Sequence, residues 1–191
     1  NQIEEVLENL QLLVKAGKIR YVGLSNETPW GMMKFLEVAK EKNLPRMMSI
    51  QNVYSLVNRV FDIANSEVSI RENCGLLAYS PLPGGRSSGK YIANKNPQNA
   101  RYTLWPRRFS RHHTQKGEIA IEQYVNLAIK YYIAPSTFAN AFVNIRPFVT
   151  SNIIGATTMD QLKENIDSID IVMSDEMLSD IENIHLSNPN P

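Results

Sequence analysis

Apolar residues at Ile3, Val6, Leu7, Leu10, Leu13 and Val14 recur at spacings of three and four, which draws one stripe on a helix that Gly17 stops. Ile19 to Leu24 then reads as a short β-strand, closed by Gly23-Leu24-Ser25-Asn26. Thr28-Pro29 supplies a capping side chain and a proline at the first helical position. The helix they start turns Met33, Leu36 and Ala39 inward and ends near Asn43. The unit repeats with a strand over Met47 to Gln51, a weaker helix over Asp62 to Asn73 and a strand over Leu76 to Ser80. An irregular stretch from Pro81 to Gly117 breaks the rhythm. Two helices follow, one through Tyr132 and one from Pro135 to about Ile145, where Pro147 ends it. Asn152 to Gly155 is the fourth strand. Thr158 caps a helix running to Ser168, and Ser174 caps a last one with Asp175 and Glu176 in its first turn.

Strands alternating with helices predict an α/β fold with a parallel sheet, in a single domain over residues 1–191. A full (β/α)8 TIM barrel needs about 250 residues. Four βα units behind a leading helix match half of one. An isolated half leaves two open sheet edges, which natural proteins pair or cover. Either upstream residues or a second copy is therefore expected to complete the closure. The first residue, Asn1, with a helix under way at Ile3, fits a piece of a longer protein.

Composition narrows the classes. The net charge of +1 argues against a dedicated nucleic-acid binder. One cysteine forms no internal disulfide, so nothing points to an oxidising compartment. No apolar run approaches the roughly 18 residues of a membrane span, and no signal peptide opens the chain. A cytoplasmic protein without membrane or nucleic-acid partners is the expectation.

Ligands of parallel β/α folds collect at the C-terminal ends of strands. Those ends carry Ser25 and Asn26, Gln51, Tyr79 and Ser80, and Gly155 to Thr158. They offer amides, hydroxyls and one aromatic face. They contain no carboxylate pair, no Ser/His/Asp arrangement and no Cys/His metal spacing. Such a set suits recognition of a flat, amide-bearing ring better than acid–base chemistry.

The stretch 81–117 holds Arg86, Lys90, Lys95, Arg101, Arg107, Arg108, Arg111 and Lys116 without one Asp or Glu, a charge of +8. It reads as an anion clamp, with Gly84, Gly85 and Gly89 allowing close backbone approach, or as a solvated basic loop. Tyr91, Tyr102, Trp105 and Phe109 between the charges add a third reading, nucleic-acid binding. Gly155 to Asn165 turns from a strand end into a helix whose first N–H groups suit a phosphate, with Gln161, Glu164 and Asn165 within little more than one turn. His112-His113 on the basic loop reads as solvated, and Cys74 as inert.

Five ordered segments carry a resemblance: Gly17-Lys-Ile-Arg-Tyr-Val-Gly-Leu-Ser-Asn26, Ile50-Gln-Asn-Val-Tyr-Ser-Leu-Val-Asn-Arg59, Leu77-Ala-Tyr-Ser-Pro-Leu82, Gly89-Lys-Tyr91 and Gly155 to Asn165. Together they resemble the aldo-keto reductases, nearest the Tas-like branch, over essentially the whole chain. The resemblance implies the C-terminal half of a (β/α)8 TIM barrel that binds NADP(H) and transfers hydride to or from a small-molecule carbonyl or alcohol. It implies that Ser25, Asn26 and Gln51 hold the nicotinamide carboxamide and that Tyr79 stacks on the ring. Ser80, Pro81 and Leu82 would follow the ribose and pyrophosphate, with Lys90 and Arg101 closing over the phosphates. Gly155, Thr157, Gln161, Glu164 and Asn165 match the adenosine end.

Three departures accompany these matches. The family's catalytic Asp, Tyr, Lys and His fall upstream of Asn1, so no catalytic residue is assigned within the chain. Pro83-Gly-Gly-Arg-Ser-Ser88 stands where relatives carry apolar residues around one glycine, and Gln161 stands where many carry Arg. The alternative is a non-catalytic nucleotide-binding or regulatory half-barrel that self-associates.

Overall fold

The apolar stripe at the start folds into helix α1 (Gln2–Lys15), closed by a left-handed Gly17 (φ 69°). Its N–H donates to the Val14 carbonyl (2.9 Å), and that of Lys18 to Leu13 (3.0 Å). The computed structural model describes residues 2–105 and 114–191. Two compact units make up the chain: residues 1–52, 61–77 and 147–151, and residues 53–60, 78–146 and 152–191.

The first unit continues with β1 (Val22–Ser25), α2 (Pro29–Glu41), β2 (Met47–Val53) and α3 (Asn65–Arg71). The opening residues of β3 (Gly75–Tyr79) and β4 (Val149–Ile153) also belong to it. The four strands are parallel and lie in the order β1-β2-β3-β4. Thr28 caps α2 as its sequence predicts, its hydroxyl accepting the Gly31 N–H at 3.1 Å. The core gathers Leu7, Val22, Leu24, Met32, Leu36, Met47, Ile50 and Leu76.

Four local readings shift. Leu7 is buried from the α1 stripe, while Val6 and Leu13 are 46% and 40% exposed. Packing against α2 covers only part of so wide a stripe. In α2, Met32 takes the inward line with Leu36 and Ala39, and Met33 stays 42% exposed one residue round the helix. The helix expected over Asp62 to Asn73 divides into a 3-10 turn (Val60–Asp62) and α3, because Ala64 between them is left-handed (φ 66°). Strand β4 begins at Val149 rather than Asn152. Its pairing is decided by β3, where the Leu76 N–H donates to the Phe148 carbonyl at 2.8 Å.

The second unit holds the helical remainder. After β3 the chain forms 3-10 turns at Pro83–Ser88 and Ile92–Asn94 and a short α4 (Arg101–Leu104). Helices α5 (Gln115–Lys130), α6 (Pro135–Asn144), α7 (Met159–Asp167) and α8 (Asp175–Ser187) follow. The basic stretch is thus partly helical, and α5 starts inside its expected range, capped by Thr114. Residues 136–143 of α6 are all buried, with α5, α7 and the turns at 83–88 and 168–170 packed around it. Tyr54 stacks on Phe142 at 6.0 Å, and the Arg146 guanidinium lies 4.0 Å from the same ring. Among the described residues no helix is long and apolar enough to cross a membrane.

Candidate functional site

In the first unit the backbone ladder sets the site residues. Ser25 is the register partner of Gln51, and the Asn26 N–H donates to the Gln51 carbonyl at 2.9 Å. Asn26 then turns left-handed (φ 54°), a conformation asparagine tolerates better than most residues, and its amide reaches Ser25 Oγ at 3.3 Å. Asn52 Nδ2 donates to the Glu27 carbonyl at 3.4 Å and ties the following loop to β2. Ser25, Asn26 and Gln51 are therefore brought together, as expected.

In the second unit the Tyr79 carbonyl accepts the Tyr54 N–H at 3.2 Å. Ser80 is left-handed (φ 58°), a costly state for serine that turns the chain sharply into buried Pro81 and half-buried Leu82. A cavity of about 300 Å³ opens there. Leu82, Lys90, Gly155, Gln161, Glu164 and Asn165 line it, together with Gly85, Ser88 and the Ala134-Pro135-Ser136 start of α6. Six of the expected residues thus meet in one place. Tyr79, Ser80, Pro81, Arg101 and Thr157 are not among its lining residues.

Lys90 is half-buried, with its ammonium 5.3 Å from the Tyr91 ring centroid and, among the described residues, no carboxylate paired to it. Burial, and then the charge of Arg101, pull its pKa below the ordinary lysine value. Gly85 is left-handed (φ 87°), which favours glycine at this turn, and a Cβ there would stand 3.0 Å from Lys90 Nζ, so the ammonium lies close against it. The other basic residues divide. Arg86 is buried, pairs with Glu118 at 3.2 Å and lies over the Tyr102 ring, so it braces the turn. Lys95 and Lys116 are exposed. Arg107, Arg108, Phe109, Arg111 and His112-His113 lie outside the described residues.

The α7 start is built as its sequence suggests. Thr158 Oγ1 accepts the Gln161 N–H (3.2 Å). Gln161 Oε1 in turn accepts from the Thr157 N–H (2.9 Å) and hydroxyl (3.1 Å). Among the described residues the Gln161 amino group has no partner. The Ser136 hydroxyl donates to the Glu164 carboxylate at 2.5 Å. Asn165 is buried and engaged at both ends of its amide, accepting from Asn140 (2.9 Å) and donating to the Gly155 carbonyl (3.3 Å).

Sequence reasoning missed Ser88, Ala134, Pro135 and Ser136. A signal existed for the last three. No side chain caps α6, and a proline start without Ser, Thr, Asp or Asn before it leaves helix N–H groups to be met by something else.

The sequence model of the Aldo/keto reductase family matches residues 1–185. The chain belongs to this family. It is 45% identical to Protein tas of Escherichia coli (strain K12) over 181 residues, covering 95% of this chain and 52% of that protein. An aldo-keto reductase of Babesia bovis is 38% identical over 169 residues, covering 86% of this chain and 59% of its own. The L-glyceraldehyde 3-phosphate reductase of E. coli (strain K12) is 27% identical over 190 residues, covering 94% and 53%. The expected likeness to Tas is thus met, and the aldo-keto reductases are oxidoreductases. This chain spans about half the length of these relatives.

Proposed function

We propose that this chain is the cofactor-binding half of an NADP(H)-dependent aldo-keto reductase, the C-terminal half of its barrel. The observation that carries the reading is the cavity of about 300 Å³ in which Lys90, a cation with no carboxylate partner among the described residues, meets the Gly85 turn, the uncapped α6 start and Gln161. Cation, backbone approach and helix N–H groups are the donors a phosphate chain requires. When bound, NADPH supplies hydride from its nicotinamide ring to a small-molecule carbonyl, and NADP takes it back from an alcohol.

The chain's own residues bind and orient. Ser25, Asn26 and Gln51 offer side-chain donors and acceptors to the carboxamide, and Tyr79 offers its ring face to the nicotinamide. Ser80, Pro81 and Leu82 follow the ribose and pyrophosphate, and Lys90 with Arg101 draws in the phosphates. Gly155, Thr157, Gln161 and Glu164 meet the adenosine end, with Asn165 beside them. The residues that move the proton are expected upstream, so turnover requires that N-terminal half; a second copy of this chain closes the open sheet edges without supplying them. In this reading the chain by itself is inactive and cytoplasmic.

Titration of the 191-residue chain with NADPH, and with NADH beside it, tests the reading by nucleotide fluorescence. Saturable binding that favours NADPH is expected. Absence of saturable binding to either nucleotide overturns the claim that this chain carries the cofactor site.

A further inference from the structure

Helix α6 is buried on all sides, yet Ser136, Thr137, Asn140 and Asn144 form a polar strip along one face of it. Buried amides are costly unless every one finds a partner. Here they form a directed network, in which Asn152 Oδ1 is left without a partner among the described residues. Asn152 Nδ2 donates to Asn140 Oδ1 (3.1 Å), Asn140 Nδ2 to Asn165 Oδ1 (2.9 Å), and Asn165 Nδ2 to the Gly155 carbonyl (3.3 Å). A second branch leaves the same Asn152 amino group for Asn144 Oδ1 (3.0 Å). It continues from Asn144 to Ser168 Oγ (2.9 Å) and from Ser168 to the Asn165 carbonyl (2.5 Å). Both branches converge on Asn165. Beside them Thr137 donates to the Glu164 carbonyl (3.1 Å) and Ser136 to the Glu164 carboxylate (2.5 Å).

The network ends on cavity-lining residues, Gly155 and Glu164. Gly155 lies beyond the last residue of β4, Ile153, where the strand ladder no longer holds the backbone. We infer that Asn140 and Thr137 are positioning residues for the nucleotide site. They set where Asn165, Gly155 and Glu164 stand, Asn140 through the Asn165 amide and Thr137 through the Glu164 carbonyl. The role as a nucleotide site rests on the function proposed above; the placement of Gly155 does not.

Asn140→Asp tests the inference with almost no change in shape. The new carboxylate still accepts from Asn152 but offers no donor to Asn165. The Asn165 amide must then turn to donate to it, which faces its oxygen toward the Gly155 carbonyl and pushes that loop away. Hydrogen–deuterium exchange on the nucleotide-free chain should show residues 155–158 exchanging about tenfold faster, with β1 and β2 unchanged. Affinity for 2′,5′-ADP should fall about tenfold while affinity for reduced nicotinamide mononucleotide stays as in the wild type.

Thr137→Val, which keeps the shape and removes the hydroxyl that holds the Glu164 carbonyl, gives the same split at about two- to threefold. It carries the test if Asn140→Asp does not fold. Unchanged exchange at 155–158, or equal weakening of both ligand halves, overturns the inference. If the wild-type chain binds neither NADPH nor either half, the cofactor reading falls, and the exchange result alone decides whether this network places Gly155.

Discussion

The two units hold their site residues by different means. In the first, Ser25, Asn26 and Gln51 stand together because backbone groups pair, through the β1–β2 register and the Asn26 N–H on the Gln51 carbonyl. In the second, Gly155, Glu164 and Asn165 are held by side chains, through buried amides and hydroxyls. A backbone-held position keeps its geometry when its side chain is replaced. A side-chain-held position depends on residues that never meet the ligand. Substitutions in the first unit should therefore remove single contacts, while those at the buried network residues of the second should move the site.

The largest effect is expected at Lys90. A charge-assisted bond to phosphate contributes about 1.5–3 kcal/mol, so Lys90→Ala should weaken NADPH binding roughly ten- to a hundredfold in the fluorescence titration. Wild-type affinity in this variant would remove the second unit's claim to the phosphates. The same residue predicts a pH dependence. Burial, with Arg101 nearby, holds Lys90 below the ordinary value of 10.5, and a bound phosphate favours its charged form. Affinity should be full below the lowered pKa and decline as pH rises through it, a window that opens before 10.5. Lys90→Arg should remove that decline. In the nucleotide-free chain the sign reverses. The unfolded state keeps this proton to higher pH, so the residue's contribution to stability improves as pH rises across the same window.

Gln51→Ala comes next. A neutral hydrogen bond contributes about 0.5–1.5 kcal/mol, so NADPH affinity should fall roughly two- to tenfold. The melting temperature should stay near wild type, because the bond that sets the register uses the Gln51 carbonyl. A large loss of stability would show that the first unit is not backbone-held as described. The smallest effect on binding is expected from Thr28→Ala. Loss of the α2 cap costs about 1 kcal/mol, or roughly 2–4 °C in a calorimetric scan, with nucleotide affinity unchanged.

The α/β alternation, the parallel strands and most helix starts were legible because their causes are short-range. Thr28, Thr158 and Ser174 cap their own helices, each accepting the N–H three residues on. The strand-end residues of the first unit could be named for a similar reason: once β1 and β2 are parallel neighbours, their C-terminal ends must meet. The basic stretch was less legible. Its charge was countable, but which cation faces a cavity was not. Arg86 and Lys90 are four residues apart, yet one is paired with Glu118 and the other lines the cavity.

What lay beyond the sequence involves partners distant along the chain. Asn165 reads as a ligand contact in its own helix, and its buried role appears only when Asn140 of another helix fills its acceptor. Strand β4 shifts toward Val149 because β3 pairs with the Phe148 backbone, whatever the local apolar pattern prefers. Leu7 is buried while Val6 and Leu13 are not, because a helix neighbour selects which line of a stripe it covers. By itself the sequence determined periods, caps and turns, since each depends on neighbours a few residues away. The tertiary structure decided register, which polar groups are buried and which charge faces the cavity. Those outcomes are set by surfaces that exist only after distant segments have packed.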